Sequence, residues 1–76
     1  MNEEQKKAFG KQLKMARVWL NHQVSDVSEE TGISVKQIWN IEANGSTGSV
    51  AKYLMFLRKK GIDLNVLFDK AIKGEF

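Results

Sequence analysis

Apolar side chains recur along this chain at intervals of three and four residues, the period of a helix that packs one face on a core. In the N-terminal part this stripe predicts a first helix over residues 2–20. Asn21 follows it and can take the left-handed conformation that ends a helix. The apolar positions of this helix are Phe9, Leu13, Ala16 and Leu20.

The middle of the chain holds two shorter stripes separated by a joint that contains Gly32. The first predicts a helix over residues 24–31, and the second predicts a helix over residues 35–43. Ser34 is expected to cap the latter helix, and Gln37, three residues on, can complete a capping box. The inward positions of these two helices are Val24, Val27, Ile38 and Ile41.

Two more helices are predicted after the polar loop at residues 44–48. Ser49 is expected to cap a helix over residues 50–60, and Asp63 a helix over residues 64–72. The expected fold class is therefore all-α, with one compact five-helix domain across residues 1–76. The expected inward positions in this part are Val50, Leu54, Leu57, Ile62, Leu64, Leu67, Phe68 and Ile72.

Composition narrows the function classes only partly. Twelve basic and nine acidic residues give a net charge of +3, which is compatible with a nucleic-acid partner and with many other roles. The absence of cysteine excludes disulfides and thiolate metal sites. No signal-peptide pattern and no apolar run long enough for a bilayer are visible, so we expect no membrane association and a cytoplasmic location.

The joint around Gly32 and the helix after it suggest a binding function. Two helices joined by a short glycine-containing turn are the geometry that places a second helix in the major groove of DNA. If Ile38 and Ile41 face inward, several neighbours must face outward. Among these, lysine can bond guanine, asparagine can bond adenine, and valine can touch a thymine methyl. The outward residues are Val35, Lys36, Trp39 and Asn40.

At these residues the sequence resembles the Cro and phage-repressor (XRE) family of helix-turn-helix regulators. The resemblance runs without gaps from Phe9 to Phe68. It rests on several short marks at the family's spacing, which are Phe9-Gly10, Leu13-Lys14, Arg17, Val27, Thr31-Gly32-Ile33-Ser34, Ile38, Ile41-Glu42, Gly61-Ile62, Leu64, Leu67 and Phe68.

The resemblance implies a lambda-repressor-like fold and a homodimer that represses transcription by occupying a palindromic double-stranded operator. Val35, Lys36 and Asn40 would read bases, while neighbouring residues would contact sugars or phosphates. Arg17 and Glu42 would form a structural ion pair. The whole expected DNA-binding set is Gln23, Ser34, Val35, Lys36, Gln37, Trp39, Asn40, Asn44, Ser46 and Thr47.

Two departures from the family pattern bear on DNA affinity. The family usually begins its second helix with serine or threonine followed by a phosphate-binding glutamine, where this chain has Gln23 and Val24. The loop at residues 44–48 also lacks the basic residues often found there. Both departures predict weaker phosphate binding than in a strong repressor.

Several alternatives remain open at this level. Trp39 would contact DNA, a protein partner or the domain's own core. The large side chains at Trp19, Trp39 and Phe56 also motivate an antitoxin-type or other protein-interaction module on the same fold. The positions Met15, Trp19, Met55 and Phe56 would either join a wide core or belong to a self-association surface built from the fourth and fifth helices.

An enzyme is not expected, because the sequence shows no nucleophile–base set and no glycine-rich phosphate loop. The single histidine, His22, is not expected to bind a metal. No cofactor is expected either.

Overall fold

A computed structural model describes residues 2–45 and 48–74 of the chain, and these residues form five α-helices without any strand. The all-helical, five-helix prediction is therefore confirmed. The helices are α1 (Glu3–Trp19), α2 (Val24–Thr31), α3 (Val35–Asn44), α4 (Val50–Lys59) and α5 (Leu64–Ile72).

Side-chain caps begin three of the helices. Ser34 Oγ accepts a hydrogen bond from Gln37 N at 3.2 Å, and Gln37 Oε1 accepts one from Ser34 N at 3.3 Å, which confirms the predicted capping box of α3. Asn2 and Gln5 form the same arrangement at α1. Asp63 Oδ1 accepts from Asn65 N at 2.9 Å, as expected for α5.

The predicted cap at Ser49 is wrong. Ser49 directly precedes α4, but its side chain makes no capping hydrogen bond. Its backbone has φ −126° and ψ 22°, away from the extended conformation that lets an N-cap side chain reach the next free amides.

Residues with positive φ terminate the helices. Asn21 takes the expected left-handed conformation at φ 63°. Gly45 does the same at φ 68°, and its N–H donates to Ile41 O at 2.8 Å. The sequence predicted that Asn44 would be the first residue of the loop. Because Gly45 ends the helix, Asn44 is instead the last residue of α3.

The core lies between α1 and the four shorter helices. α1 packs against α3 and α5, and α2 packs against α3 and α4. Most predicted inward positions are buried or half-buried, but Ile72 is 59% exposed in the last turn of α5, so its predicted inward position is wrong. The buried apolar residues are Ala8, Phe9, Leu13, Val27, Ile33, Ile38, Ile41, Tyr53, Phe56, Leu57, Leu67 and Ala71.

α1 and α3 approach each other at backbone distance where α1 carries Gly10. A Cβ at this position would lie 2.5 Å from Ile41 O and 2.6 Å from Glu42 O, closer than real Cβ atoms come to a carbonyl oxygen. Only glycine fits this crossing without a shift of one helix. The buried side of α3 is thus pressed on α1, and its opposite side faces outward.

Candidate nucleic-acid interface

The three residues between α2 and α3 form a tightly bonded turn. Gly32 has φ 80°, and its N–H donates to Ser28 O at 2.9 Å. Thr31 Oγ1 donates to Val27 O at 2.6 Å and accepts from Ile33 N at 3.1 Å. Ile33 is fully enclosed by the core. These bonds and this anchor set the direction in which α3 leaves the turn.

The side chains of α3 divide into a buried side and an outward side. Ile38, Ile41 and Glu42 are buried, while the predicted reading residues Lys36 and Asn40 are exposed. Val35 is half-buried and therefore presents only part of its side chain outward. The other exposed residues of α3 are Gln37, Trp39, Ala43 and Asn44.

Trp39 is 61% exposed, which excludes the interpretation that it belongs to the domain's own core. It lies one helical turn after Lys36 on the same side of α3. A large apolar ring exposed beside polar side chains is a feature of binding surfaces. DNA and a protein partner both remain compatible with it.

The electrostatic balance of α3 is set by one exposed and one buried charge. Lys36 and Glu42 are the two charged residues of this helix. Lys36 points into solvent, whereas Glu42 is buried and paired with Arg17. The outward side of α3 therefore carries a positive charge, as expected for a surface that approaches a polyanion.

Arg17 and Glu42, the pair implied by the resemblance, form a bidentate contact in the interior. Arg17 Nε lies 2.7 Å from Glu42 Oε2, and Arg17 Nη2 lies 3.1 Å from Glu42 Oε1. Arg17 Nη1 also donates to His22 O at 2.9 Å. A bidentate arginine–carboxylate pair fixes relative orientation, so this contact ties the end of α1 to the last turn of α3.

Tyr53 adds a third member to this contact and was missed by the sequence reasoning. Its hydroxyl donates to Glu42 Oε2 at 2.5 Å and lies 3.4 Å from Leu13 O, so α4 is tied to the same carboxylate. Its position on the apolar stripe of α4, three residues after Val50, could have predicted its burial. A buried tyrosine hydroxyl generally needs a partner, but only the fold identifies which one.

The environment of this cluster changes two pKa values. Burial, and then the hydrogen bond to Glu42, raise the pKa of Tyr53 far above its ordinary value, because both favour the neutral phenol. The hydrogen bond from Arg17 to Glu42 raises the pKa of the Arg17 guanidinium. Tyr53 is thus a neutral donor and Arg17 a permanent cation on either side of the carboxylate.

Stability should fall at alkaline pH because of Tyr53. A folded pKa above the unfolded value stabilises the fold below about pH 10. Above that pH the unfolded tyrosine ionises first, so the free energy of unfolding should drop by about 1.4 kcal/mol per pH unit from this group. Denaturant titrations from pH 8 to pH 11 measure the slope, with Tyr53→Phe as the control. Equal slopes in both proteins would contradict the assignment.

The remaining residues expected to contact phosphates lie only partly within the described part of the chain. Gln23 is exposed just before α2, and its backbone N–H donates to Asp26 Oδ2 at 2.8 Å. Val24 is half-buried and offers no polar group there. Asn44 is exposed at the end of α3. Ser46 and Thr47 lie outside the described residues.

The positions whose burial the sequence left open fall into two groups. Phe56 is buried, and the centre of its ring lies 6.5 Å from the centre of the Tyr53 ring. It therefore does not contribute to a protein-interaction surface. Met15, Trp19 and Met55 are exposed. A wide core therefore accounts for only one of these four side chains.

The described residues show neither a metal site nor a membrane-spanning helix. Within residues 2–45 and 48–74, no three histidine, cysteine, aspartate or glutamate side chains are placed to hold a metal ion. None of the helices described is long and apolar enough to cross a membrane. No family model matches the chain, and comparisons with curated proteins and with solved structures returned no significant match.

Proposed function

We propose that this protein is a sequence-specific double-stranded DNA-binding domain of the lambda-repressor-like type, resembling Cro and phage repressors. In this proposal α2 and α3 form the helix-turn-helix, and α3 enters the major groove. The protein would act in the cytoplasm as a transcriptional regulator that represses by occupying a promoter. Its role would be binding without catalysis.

The observation that carries the proposal is the two-sided character of α3. On one side, Ile38 and Ile41 are buried in the core and Glu42 is paired with Arg17, so the helix is held in a fixed orientation against the rest of the domain. The other side exposes Lys36 and Asn40 one turn apart, with donors and acceptors suited to base edges. A rigid helix with a polar, positively charged outer side is what major-groove recognition requires.

The phosphate contacts in this proposal are modest. Lys36 is the single cation on α3. At the start of α2, Gln23 can contact a phosphate, but Val24 stands where the family has its phosphate-binding glutamine. We therefore propose that the protein binds as a homodimer on a palindromic operator, with half-sites about one helical turn apart, because two weak half-site contacts add in free energy. Affinity should decline with salt, although less steeply than for a strongly basic repressor.

Selection from a random pool of DNA duplexes tests this proposal directly. The full chain is immobilised, and the retained duplexes are sequenced after several rounds. A symmetric enriched sequence would support both the DNA-binding function and the homodimer. Absence of any enriched sequence at low salt, with folded protein, would reject sequence-specific binding and favour a protein-interaction module in which Trp39 meets a protein partner.

Two alanine substitutions should alter the base preference of the selected site. Lys36→Ala and Asn40→Ala each remove one set of base contacts, so discrimination at one or two positions should fall by about 1–3 kcal/mol, or roughly 5- to 150-fold. Competition binding with single-base variants of the selected duplex measures this.

Lys59→Ala on α4 and Asn65→Ala on α5 are matched controls, because both residues are exposed outside α3. They should leave the base preference unchanged. Full preference retained in both Lys36→Ala and Asn40→Ala would show that α3 does not read the bases.

A further inference from the structure

A second apolar surface lies away from the outward side of α3. Four exposed hydrophobic residues on α1 and α5 line two adjoining hollows, of about 430 and 320 Å³, which share Met15 and Trp19. Trp19 is 78% exposed, the most exposed of the large hydrophobic residues in the described part of the chain. We call this surface the α1–α5 groove, and its exposed apolar residues are Met15, Val18, Trp19 and Val66.

The apolar centre of the groove, at Met15 and Trp19, lies on the side of α1 that faces away from its contact with α3. Trp19 follows Gly10 by nine residues, and at about 100° per residue this separation amounts to half a turn. Gly10 touches the backbone of α3 at Ile41 and Glu42. A ligand centred on Trp19 would therefore leave the outward side of α3 uncovered, whether or not α3 binds DNA.

The charged residues around the groove are mostly lysines. Lys11, Lys14 and Lys70 line it, and none of them forms an ion pair with another residue that the structure describes. The one carboxylate in the lining, Asp63, is engaged in capping α5 through Asn65 N. The groove thus combines an apolar floor with an excess of positive charge at its rim.

We propose that the α1–α5 groove binds an acidic amphipathic helix of another protein. The apolar face of that helix would cover Trp19, Met15 and their neighbours, and its aspartate or glutamate residues would pair with the lysines at the rim. Helices that dock through an apolar face into a groove are a common recognition mode. An exposed tryptophan surrounded by smaller apolar residues is the kind of side chain that dominates such interfaces.

Charge favours this occupant over a second copy of the chain. In a symmetric dimer the same patch faces itself, which would bring Lys11, Lys14 and Lys70 of one copy close to those of the other. Like charges facing each other across an interface oppose association. An acidic helix instead gains an attraction at every one of these positions.

Selection from a displayed library of random peptides, each of about 16 residues, tests the proposal. The full chain is immobilised and the enriched peptides are sequenced. The expected consensus has apolar residues at helical spacing together with aspartate or glutamate. No enrichment, or enriched peptides without an acidic bias, would overturn the proposal.

Variants then locate the binding site of the best enriched peptide. Trp19→Ser should weaken its binding by at least about tenfold. Lys14→Glu should weaken it by several-fold at low salt and by less at high salt. Trp39→Ser is the matched control. It removes the second tryptophan of the chain, which lies on α3 and outside the groove, and it should leave peptide affinity unchanged. Both substituted tryptophans are exposed, so unchanged unfolding temperatures should accompany these results.

Two outcomes contradict the site or its occupant. Peptide affinity that is the same in Trp19→Ser and Lys14→Glu as in the original protein would place the peptide elsewhere. Sedimentation that finds a dimer of the original protein and a monomer of Trp19→Ser would identify a second copy as the occupant of the groove.

Discussion

Glu42→Ala is expected to destabilise the protein by about 3–5 kcal/mol, a large part of the total stability of so small a domain. The substitution leaves the buried guanidinium of Arg17 without its carboxylate, and it removes the acceptor of the Tyr53 hydroxyl. Uncompensated buried charge is among the most costly defects in a folded protein. Chemical denaturation monitored by circular dichroism measures the loss.

Two comparison variants separate the buried charge from other effects of this substitution. Glu30→Ala removes an exposed carboxylate that lies 3.2 Å from Lys60 Nζ, and it should change stability by less than about 1 kcal/mol. The double variant Arg17→Met/Glu42→Leu removes both charges and should recover much of the loss. If Glu42→Ala cost no more than Glu30→Ala, the buried pair would not be the connection between α1 and α3.

Gly10→Ala is expected to destabilise the protein by about 3 kcal/mol, even though alanine is the better helix former by about 1 kcal/mol. The added Cβ would meet the carbonyl oxygens of Ile41 and Glu42, which belong to a helix backbone and cannot rotate away. α1 and α3 would have to separate and loosen the core between them. In a domain of this size the unfolding temperature should fall by about 12–24 °C.

Gly48→Ala is the matched control for Gly10→Ala. A Cβ at Gly48 would have no heavy atom within 4 Å, so its effect on the unfolding temperature should be small. A Gly10→Ala protein that is as stable as the original, or more stable, would show that helix propensity outweighs the close approach.

Glu42→Ala and Gly10→Ala both weaken the contacts that hold the buried side of α3 against the rest of the domain. Glu42 and the carbonyl groups that meet Gly10 belong to the buried side of this helix. If α3 reads DNA, weaker packing of its buried side should lower affinity for every duplex. Substitution of Lys36 or Asn40, in contrast, should change the preference among duplexes. This difference separates a positioning residue from a reading residue.

Local sequence patterns predicted the helices well, because each helix here has a clear apolar stripe and most have a strong start or stop signal. Ser34 and Gln37 are an example, since a capping box depends only on residues three apart in sequence. Ser49 shows the limit of such signals. Serine is a favourable cap, but the backbone conformation on entering α4 keeps its side chain away from the amides.

Burial was harder to predict from these patterns. Phe56 and Trp19 both fall off the simple stripes, yet Phe56 is buried and Trp19 is 78% exposed. Ile72 lies on the stripe of α5 and is exposed in its last turn. Whether a large side chain is covered depends on how neighbouring helices cross, and helical periodicity contains no information about these crossings.

The amino-acid sequence alone determined the number of helices, their bounds to within one residue and most of their inward positions, because these follow from apolar spacing and local backbone preferences. Tertiary structure alone decided that Tyr53 joins Arg17 and Glu42, that Gly10 rests on the backbone of α3, and that Trp19 and its neighbours form a separate groove. These features bring together residues far apart in the chain. Their contacts depend on the angles and distances between packed helices, which local preferences do not specify.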